Sequence, residues 1–496
     1  MRKSGILLPI TSLPSKYGIG CFSKSAYDFT DWLKDAGQSF WQILPLCPTG
    51  FGDSPYQSFS TFAGNPYMIS LEELIEEGLL TKEECDSIDF GDSEVFIDYK
   101  KMYENRYTLL NKAYKNSNIF NDSDFIKFIS DNKFWLDEYS LFMALKNKFD
   151  QSIWNTWPDD IRLREESALE RYRQELKEEI LFWQFIQYKF YCQWNKLKTY
   201  VNKNEVSIIG DIPIYVSFDS ADVWANPELF ELDENLNPIN VAGCPPDGFS
   251  KKGQLWGNPL YKWENHKITD YEWWTKRLNH AFKLYDVLRI DHFRGFDEYY
   301  SIKFGSEDAT DGKWRKGAGA ELFKEAEKKL GKKNIIAEDL GFITDSVKAL
   351  LDECGFPGMK VLEFAFDSRD TGVSNDYLPH NYTNNCVAYT GTHDNQTISS
   401  WFKTISESEQ KAVRNYLCDY FTPDTKIHIP LIALIMKSTA SLCIIPIQDW
   451  LGLSDAARIN TPSTTGINWR WRIRKEQLDE NIKRTIYNMT KTFERL

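Results

Sequence analysis

At 496 residues, with 42% apolar and 26% charged residues, the chain can bury a large core and is too apolar to be disordered. Its net charge of −13 and lack of any basic block exclude a nucleic-acid binder, which needs Lys and Arg gathered against phosphates; a neutral or small polar substrate fits better. The nine cysteines form no CxxC pair and no Cys/His cluster, and Pro9 interrupts the apolar N-terminal run before signal-peptide length, so the chain reads as a cytoplasmic protein with reduced thiols, no metal site and no membrane span.

Short apolar runs that end in polar or Gly/Pro residues recur along the chain. In order they are SGILLPITSL near residue 5, SFWQILPLCPTG near 40, EVSIIGDIPIY near 206, DVLRIDHF near 287, NIIAEDLG near 335, KVLEFAFDS near 361, NCVAYTGTHDN near 386 and LCIIPIQDW near 443. Most are separated by helix-like stretches, and alternation of buried strand and amphipathic helix implies a parallel sheet covered by helices. Eight such runs predict an α/β chain folded as a (β/α)8 TIM barrel, with residues 1–496 forming a single catalytic unit. Between the second and third runs lie about 160 residues, far more than one helix and two loops need. A mostly helical subdomain is therefore expected over about 66–200, which also includes a barrel helix. Leu169, Tyr172, Leu176, Ile180 and Trp183 recur there at helical spacing. About 70 residues separate the third and fourth runs, and a second insertion is expected over about 215–285. It contains AGCPPDGFSKKGQLWGNPLY, residues 242–261, whose Pro and Gly content suits a long ordered loop of the kind that walls a binding site.

In such barrels the active site lies at the carboxyl ends of the strands. Acidic residues collect there: Asp211 after the third run, Asp291 at the fourth, Glu338 at the fifth and Asp394 after the seventh. One strand-end carboxylate is more often a helix cap or an ion pair than a catalyst, but four on one rim favour a site. Residues two apart share a strand face, so Arg289 and Asp291 both point to the mouth, and the guanidinium is expected to keep Asp291 ionised as a nucleophile. Glu338 and Asp339 face opposite ways, so only one of them can join Asp291. Glu338 follows an apolar strand, where desolvation raises a carboxyl pKa as a general acid requires. One ionised carboxylate opposite one protonated carboxyl is the arrangement that cleaves a glycosidic bond with retention, the two standing about 5–5.5 Å apart. Aromatic residues make up 15% of the chain, and flat rings suit sugar faces, although most must be core. No GxSxG elbow, Walker motif, GxGxxG fingerprint or zinc-like spacing offers a competing chemistry. His393, beside Asp394, could hydrogen-bond a substrate hydroxyl. Alternation turns His292 away from the mouth if the strand persists that far.

RIDHFRGF, AEDLG and GTHDNQT resemble the fourth-, fifth- and seventh-strand motifs of the amylomaltases, the 4-α-glucanotransferases or disproportionating enzymes related to the α-amylases. Further resemblance runs through GILLPITSLPSKYGIG, WQILPLCPTGFGDSPYQSFSTFAGNPY, GDIPIYVSFDSADVW, PPDGFSKKGQLWGNPLY and RINTPSTTGINWRWR, nearly the whole chain. It implies transfer of α-1,4-glucan segments among malto-oligosaccharides, amylose or similar glucans, with glucose as an acceptor and no cofactor. Asp291 would be the nucleophile, Glu338 the acid and then the base, and Asp394 the third carboxylate, with Arg289 and His393 in support. Ser54, Tyr56, Asp211, Phe249, Trp256 and Asn460 match positions that line the glucan groove, Phe249 and Trp256 lying on a loop that arches over the site. Gly248 stands where many relatives carry an aromatic residue, and Ser463 and Ile467 stand where glycines are common. A starch hydrolase would share the carboxylates, although the Lys-His of the amylases is absent after Asp291. A non-catalytic glucan binder would need no paired nucleophile and acid.

Overall fold

Each of the eight apolar runs contributes to a parallel strand, the sixth only through Lys360 and Val361 before a 3-10 helix at Leu362–Phe366, in the computed structural model, which describes residues 2–50, 52–246, 251–341, 343–367 and 376–496. The strands are β1 (Lys3–Leu7), β2 (Phe40–Gln42), β3 (Ser207–Pro213), β4 (Val287–Asp291), β5 (Ile335–Ala337), β6 (Gly358–Val361), β7 (Cys386–Tyr389) and β8 (Leu442–Pro446). They pair in the order β6-β7-β8-β1-β2-β3-β4-β5. The ends of that sheet meet where the Ala337 N–H donates to the Pro357 carbonyl at 3.0 Å, so the sheet curls into a nearly closed (β/α)8 barrel.

Strand alternation divides the apolar residues into two cores. Leu7, Ile209, Ile336, Met359, Val361, Val387, Tyr389, Leu442 and Ile444 cluster inside the barrel. Their neighbours Ile6, Ile208, Ile290, Ala337, Ala388, Cys443 and Ile445 join the larger core under the helices. Gly210 on β3 leaves space for the Tyr285 ring, which a Cβ there would meet at 2.0 Å.

Helices make up most of the stretch between β2 and β3. The helices Tyr99–Asn116, Ser123–Lys148 and Lys177–Lys203 dominate it, with Asp98 and Asp122 capping the first two through backbone N–H groups. The periodic face read across residues 169–183 belongs to two helices, Glu166–Glu175 and Lys177–Lys203, which break at Leu176. The segment between β3 and β4 adds strands that the sequence did not announce. Gln254–Pro259, Asn240–Cys244, Glu298–Lys303 and Lys313–Lys316 form a four-stranded antiparallel sheet in that order, the last two following β4. Among the described residues no helix is long and apolar enough to cross a membrane.

Candidate active site

The carboxyl ends of β3 and β4 set the base of the site. Asp211 and Arg289 are partners in register across these strands. The buried Arg289 guanidinium donates through Nη1 to Asp211 Oδ2 at 2.6 Å and through Nη2 to Asp291 Oδ1 at 2.9 Å. Burial works against its charge, but Asp211 and Asp291 more than offset that and raise its pKa further. The Tyr56 hydroxyl also donates to Asp211 Oδ2, at 2.7 Å. Asp211 is fully buried, so its carboxylate presents no surface to a groove as the resemblance implied; it holds Arg289 and Tyr56.

Glu338 lies one residue beyond β5 and is fixed from both sides. Its N–H donates to the Ile290 carbonyl at 3.0 Å and its carbonyl accepts from Phe293 N–H at 2.9 Å. Its carboxyl accepts from His292 N–H at 2.6 Å and from Leu340 N–H at 2.7 Å. Asp339 turns the other way, as alternation predicts, and accepts from Met359 N–H at 2.6 Å. Gly358 makes room for it, since a Cβ there would stand 2.5 Å from Asp339 Oδ2. Burial, then the charge of Asp291, pushes Glu338 up to about 8, against the pull of Arg289 and the two N–H donors. Burial also raises Asp291, to about 6, with the charges of Asp211 and Asp394 adding to the rise, while Arg289 pulls towards the carboxylate. The two carboxyls titrate as a pair, with the proton favouring Glu338.

β4 ends at Asp291, and His292 takes a left-handed backbone (φ +53). Strand alternation therefore stops there, and His292 is not simply turned away. Its N–H reaches Glu338, while its ring meets Trp256 edge-on with centroids 4.7 Å apart. Burial, and then Arg294, lower its pKa to about 3, so the imidazole is neutral.

Asp394 stands in the loop after β7 and acts on Asp291 through its charge. Its Oδ1 accepts from Asn460 Nδ2 at 2.6 Å and lies 3.4 Å from His393 Nε2. Asn460 N–H donates to the His393 carbonyl at 3.1 Å. Arg458 donates to the Asp394 carbonyl at 2.6 Å and to the Asn460 carbonyl at 2.7 Å. Below them Asp449 accepts from Ile398 N–H at 2.8 Å and from the Thr390 hydroxyl, and Asp455 accepts from Thr397 N–H at 2.8 Å and Gln396 Nε2 at 2.7 Å. Buried Glu363 faces the same loop, its carboxyl raised well above the usual range by burial and by Asp449, with Arg458 opposing. The segment after β8 thus clamps the loop that bears Asp394.

The Tyr56 ring stacks on His393, with centroids 5.2 Å apart and planes 11° from parallel, and Trp469 tilts against both at 5.8 and 5.9 Å. Ser54 Oγ accepts from Tyr56 N–H at 3.3 Å and shapes the turn that presents it. Trp256 is half-buried and donates from Nε1 to Gln254 Oε1 at 3.0 Å. Phe249 and Gly248 lie outside the described residues. Ser463 adopts φ +64, which explains why glycine suits that position, and Ile467 is 64% exposed. The sequence reading missed Arg458 and Trp469, although both lie in RINTPSTTGINWRWR.

A family model described as 4-alpha-glucanotransferase matches residues 8–478. A 4-alpha-glucanotransferase of Clostridium butyricum is 49% identical over 489 residues, covering 98% of this chain and 99% of that protein. One of Streptococcus pneumoniae is 46% identical over 500 residues, covering 100% and 98%. The solved amylomaltase of Streptococcus agalactiae, in complex with acarbose, superposes with a TM-score of 0.96 at 43% identity and full coverage of both chains.

Proposed function

The chain belongs to the 4-alpha-glucanotransferase family, and from that premise we propose that it moves α-1,4-glucan segments between malto-oligosaccharides, amylose or similar glucans, or onto glucose, through a glycosyl-enzyme on Asp291. The observation that carries the reading is the pair of strand-end carboxyls in unlike settings, Asp291 held by the Arg289 guanidinium at 2.9 Å and Glu338 buried beside the charge of Asp291, which keeps the proton on Glu338 and leaves one nucleophile and one acid. The Asp291 carboxylate attacks the anomeric carbon of the donor while the Glu338 carboxyl gives its proton to the departing glycosidic oxygen. Glu338, now ionised, takes the proton of the acceptor 4-hydroxyl as that oxygen attacks the same carbon and frees Asp291. Two inversions leave the α linkage unchanged. Asp394 holds hydroxyls of the sugar whose bond is cut and favours its distorted ring, with Asn460, Arg289 and His393 in support. Ser54, Tyr56 and Trp256 line the groove for neighbouring sugars. Oxidation state and phosphate do not change, so the reaction calls on no cofactor.

The whole chain is read as one catalytic barrel with insertions over about 66–200 and 215–285. All nine cysteines are free thiols, which supports a cytoplasmic, reducing setting.

Incubation with maltotriose and chromatography of the products tests the reading. A ladder of longer oligosaccharides with glucose is the expected result. Maltose and glucose alone would mean hydrolysis, and unchanged maltotriose would mean binding without catalysis; either overturns the proposal.

A further inference from the structure

Fifteen of the seventeen tryptophans are buried; the exceptions are Trp256 and Trp314. Both belong to the four-stranded antiparallel sheet and sit on its two edge strands, Gln254–Pro259 and Lys313–Lys316. Three strand spacings of about 4.8 Å separate these edges, roughly 14 Å. Trp256 meets His292, whose N–H holds Glu338. Trp314 is tied to the same turn, because the guanidinium of Arg294 lies over its ring at 4.1 Å. Arg294 is three residues beyond Asp291, within electrostatic reach of Glu338. Tyr300, the cross-strand partner of Trp314, meets it edge-on at 5.2 Å. The indole is therefore held by two neighbours, yet 38% of the residue remains in solvent.

Burial does not account for this tryptophan. Every residue of its strand, KWRK, is exposed, and the three cationic neighbours already guard that edge against pairing with another chain. An indole held against one guanidinium and left open at a catalytic rim presents an apolar surface that stacks on a sugar ring.

We infer that Trp314 is a stacking platform for distal sugars on the Glu338 side of the mouth, engaged by long acceptors and by the leaving arm of long donors. The inference rests on the transfer reading above, in which Glu338 protonates the leaving oxygen and so faces the acceptor. It makes Trp314 a specificity-determining residue for chain length, and Arg294 the group that positions it.

The test measures acceptor KM at a fixed concentration of α-maltotriosyl fluoride as donor, with glucose, maltose and maltotetraose as acceptors. Trp314→Ala should raise KM for maltotetraose by about three- to tenfold, the scale of one aromatic contact, and leave KM and kcat with glucose unchanged. Trp314→Phe should retain most of the long-acceptor affinity, and Trp314→Leu, equally apolar but without a ring, should lose it. Equal KM values for the long acceptor in wild type and Trp314→Ala would overturn the inference. So would an equal rise for glucose and maltotetraose, or Leu performing as well as Phe. Failure of the transfer reading is distinguishable, because wild type itself would then form no longer product.

Discussion

Asp291 and Glu338 bear the same functional group in the same barrel mouth, and their surroundings give them different protonation. Asp291 keeps a guanidinium at 2.9 Å, whereas Glu338 sits deeper, with two backbone N–H donors and the charge of Asp291 beside it. The proposed double displacement needs Asp291 ionised and Glu338 protonated. Since both pKa values are raised, to about 6 and about 8, kcat/KM should climb as pH passes the first and fall as it passes the second. Glu338→Gln should abolish the alkaline fall when a glycosyl fluoride, whose leaving group needs no proton, is the donor. A pH profile of kcat/KM for both proteins checks this, and an alkaline limb surviving in the variant would remove Glu338 as the acid. The sequence made this pair legible because strand alternation fixes which side chains meet at a barrel rim. It did not reveal that Asp211 is a buried brace, since that depends on the register of β3 against β4 and on Tyr56 arriving from far along the chain. The place of His292 hung on whether the strand persists past Asp291, and one left-handed residue ends the alternation there.

The loop bearing Asp394 owes its shape to the segment that follows β8. Arg458 holds the Asp394 carbonyl, Asn460 holds its carboxylate, and Asp449 and Asp455 fix the two ends of the stretch from Thr390 to Ile398. Arg458 touches no reacting atom in the proposed chemistry and acts through Asp394, so it is a positioning residue. Arg458→Ala should lower kcat roughly 10²-fold, the scale of a displacement of about 1 Å at a catalytic group, with a much smaller change in donor KM. Arg458→Lys should recover part of that loss. Steady-state kinetics on maltotriose check it, and a change confined to KM would contradict the positioning role. Strands β1–β8 were legible as elements because each is a short apolar run closed by turn residues. The antiparallel sheet was not: one of its strands is wholly exposed, and its two halves lie on either side of β4 in the chain.

The barrel is closed at its amino-terminal end by Arg495. Its buried guanidinium donates to the carbonyls of Met436, Ser438, Ala440 and Lys3 at 2.6 to 3.0 Å, tying the entries to β8 and β1 to the last helix. Arg495→Ala removes a donor from all four carbonyls, of which Ser438 keeps Arg2 Nη1 at 2.8 Å, and should cost about 1–3 kcal/mol for each buried acceptor left unpaired. Urea unfolding should show the lower midpoint while the folded enzyme keeps its kcat, and an unchanged midpoint would contradict the closure argument. Barrel class and active rim followed from the order of eight runs, but this closure did not, because a lone arginine in a polar tail reads as solvated until its partners are known. At the scale of the whole molecule the account comes to one claim: the barrel brings Asp291 and Glu338 together for covalent transfer. Intact-protein mass spectrometry of Glu338→Gln treated with α-maltotriosyl fluoride tests it most directly. The fluoride leaves without an acid and the variant lacks the base for the second step, so a maltotriosyl adduct should accumulate, with peptide mapping assigning it to Asp291. An adduct on any other residue, or none while fluoride is released at an enzyme-dependent rate, would contradict the claim.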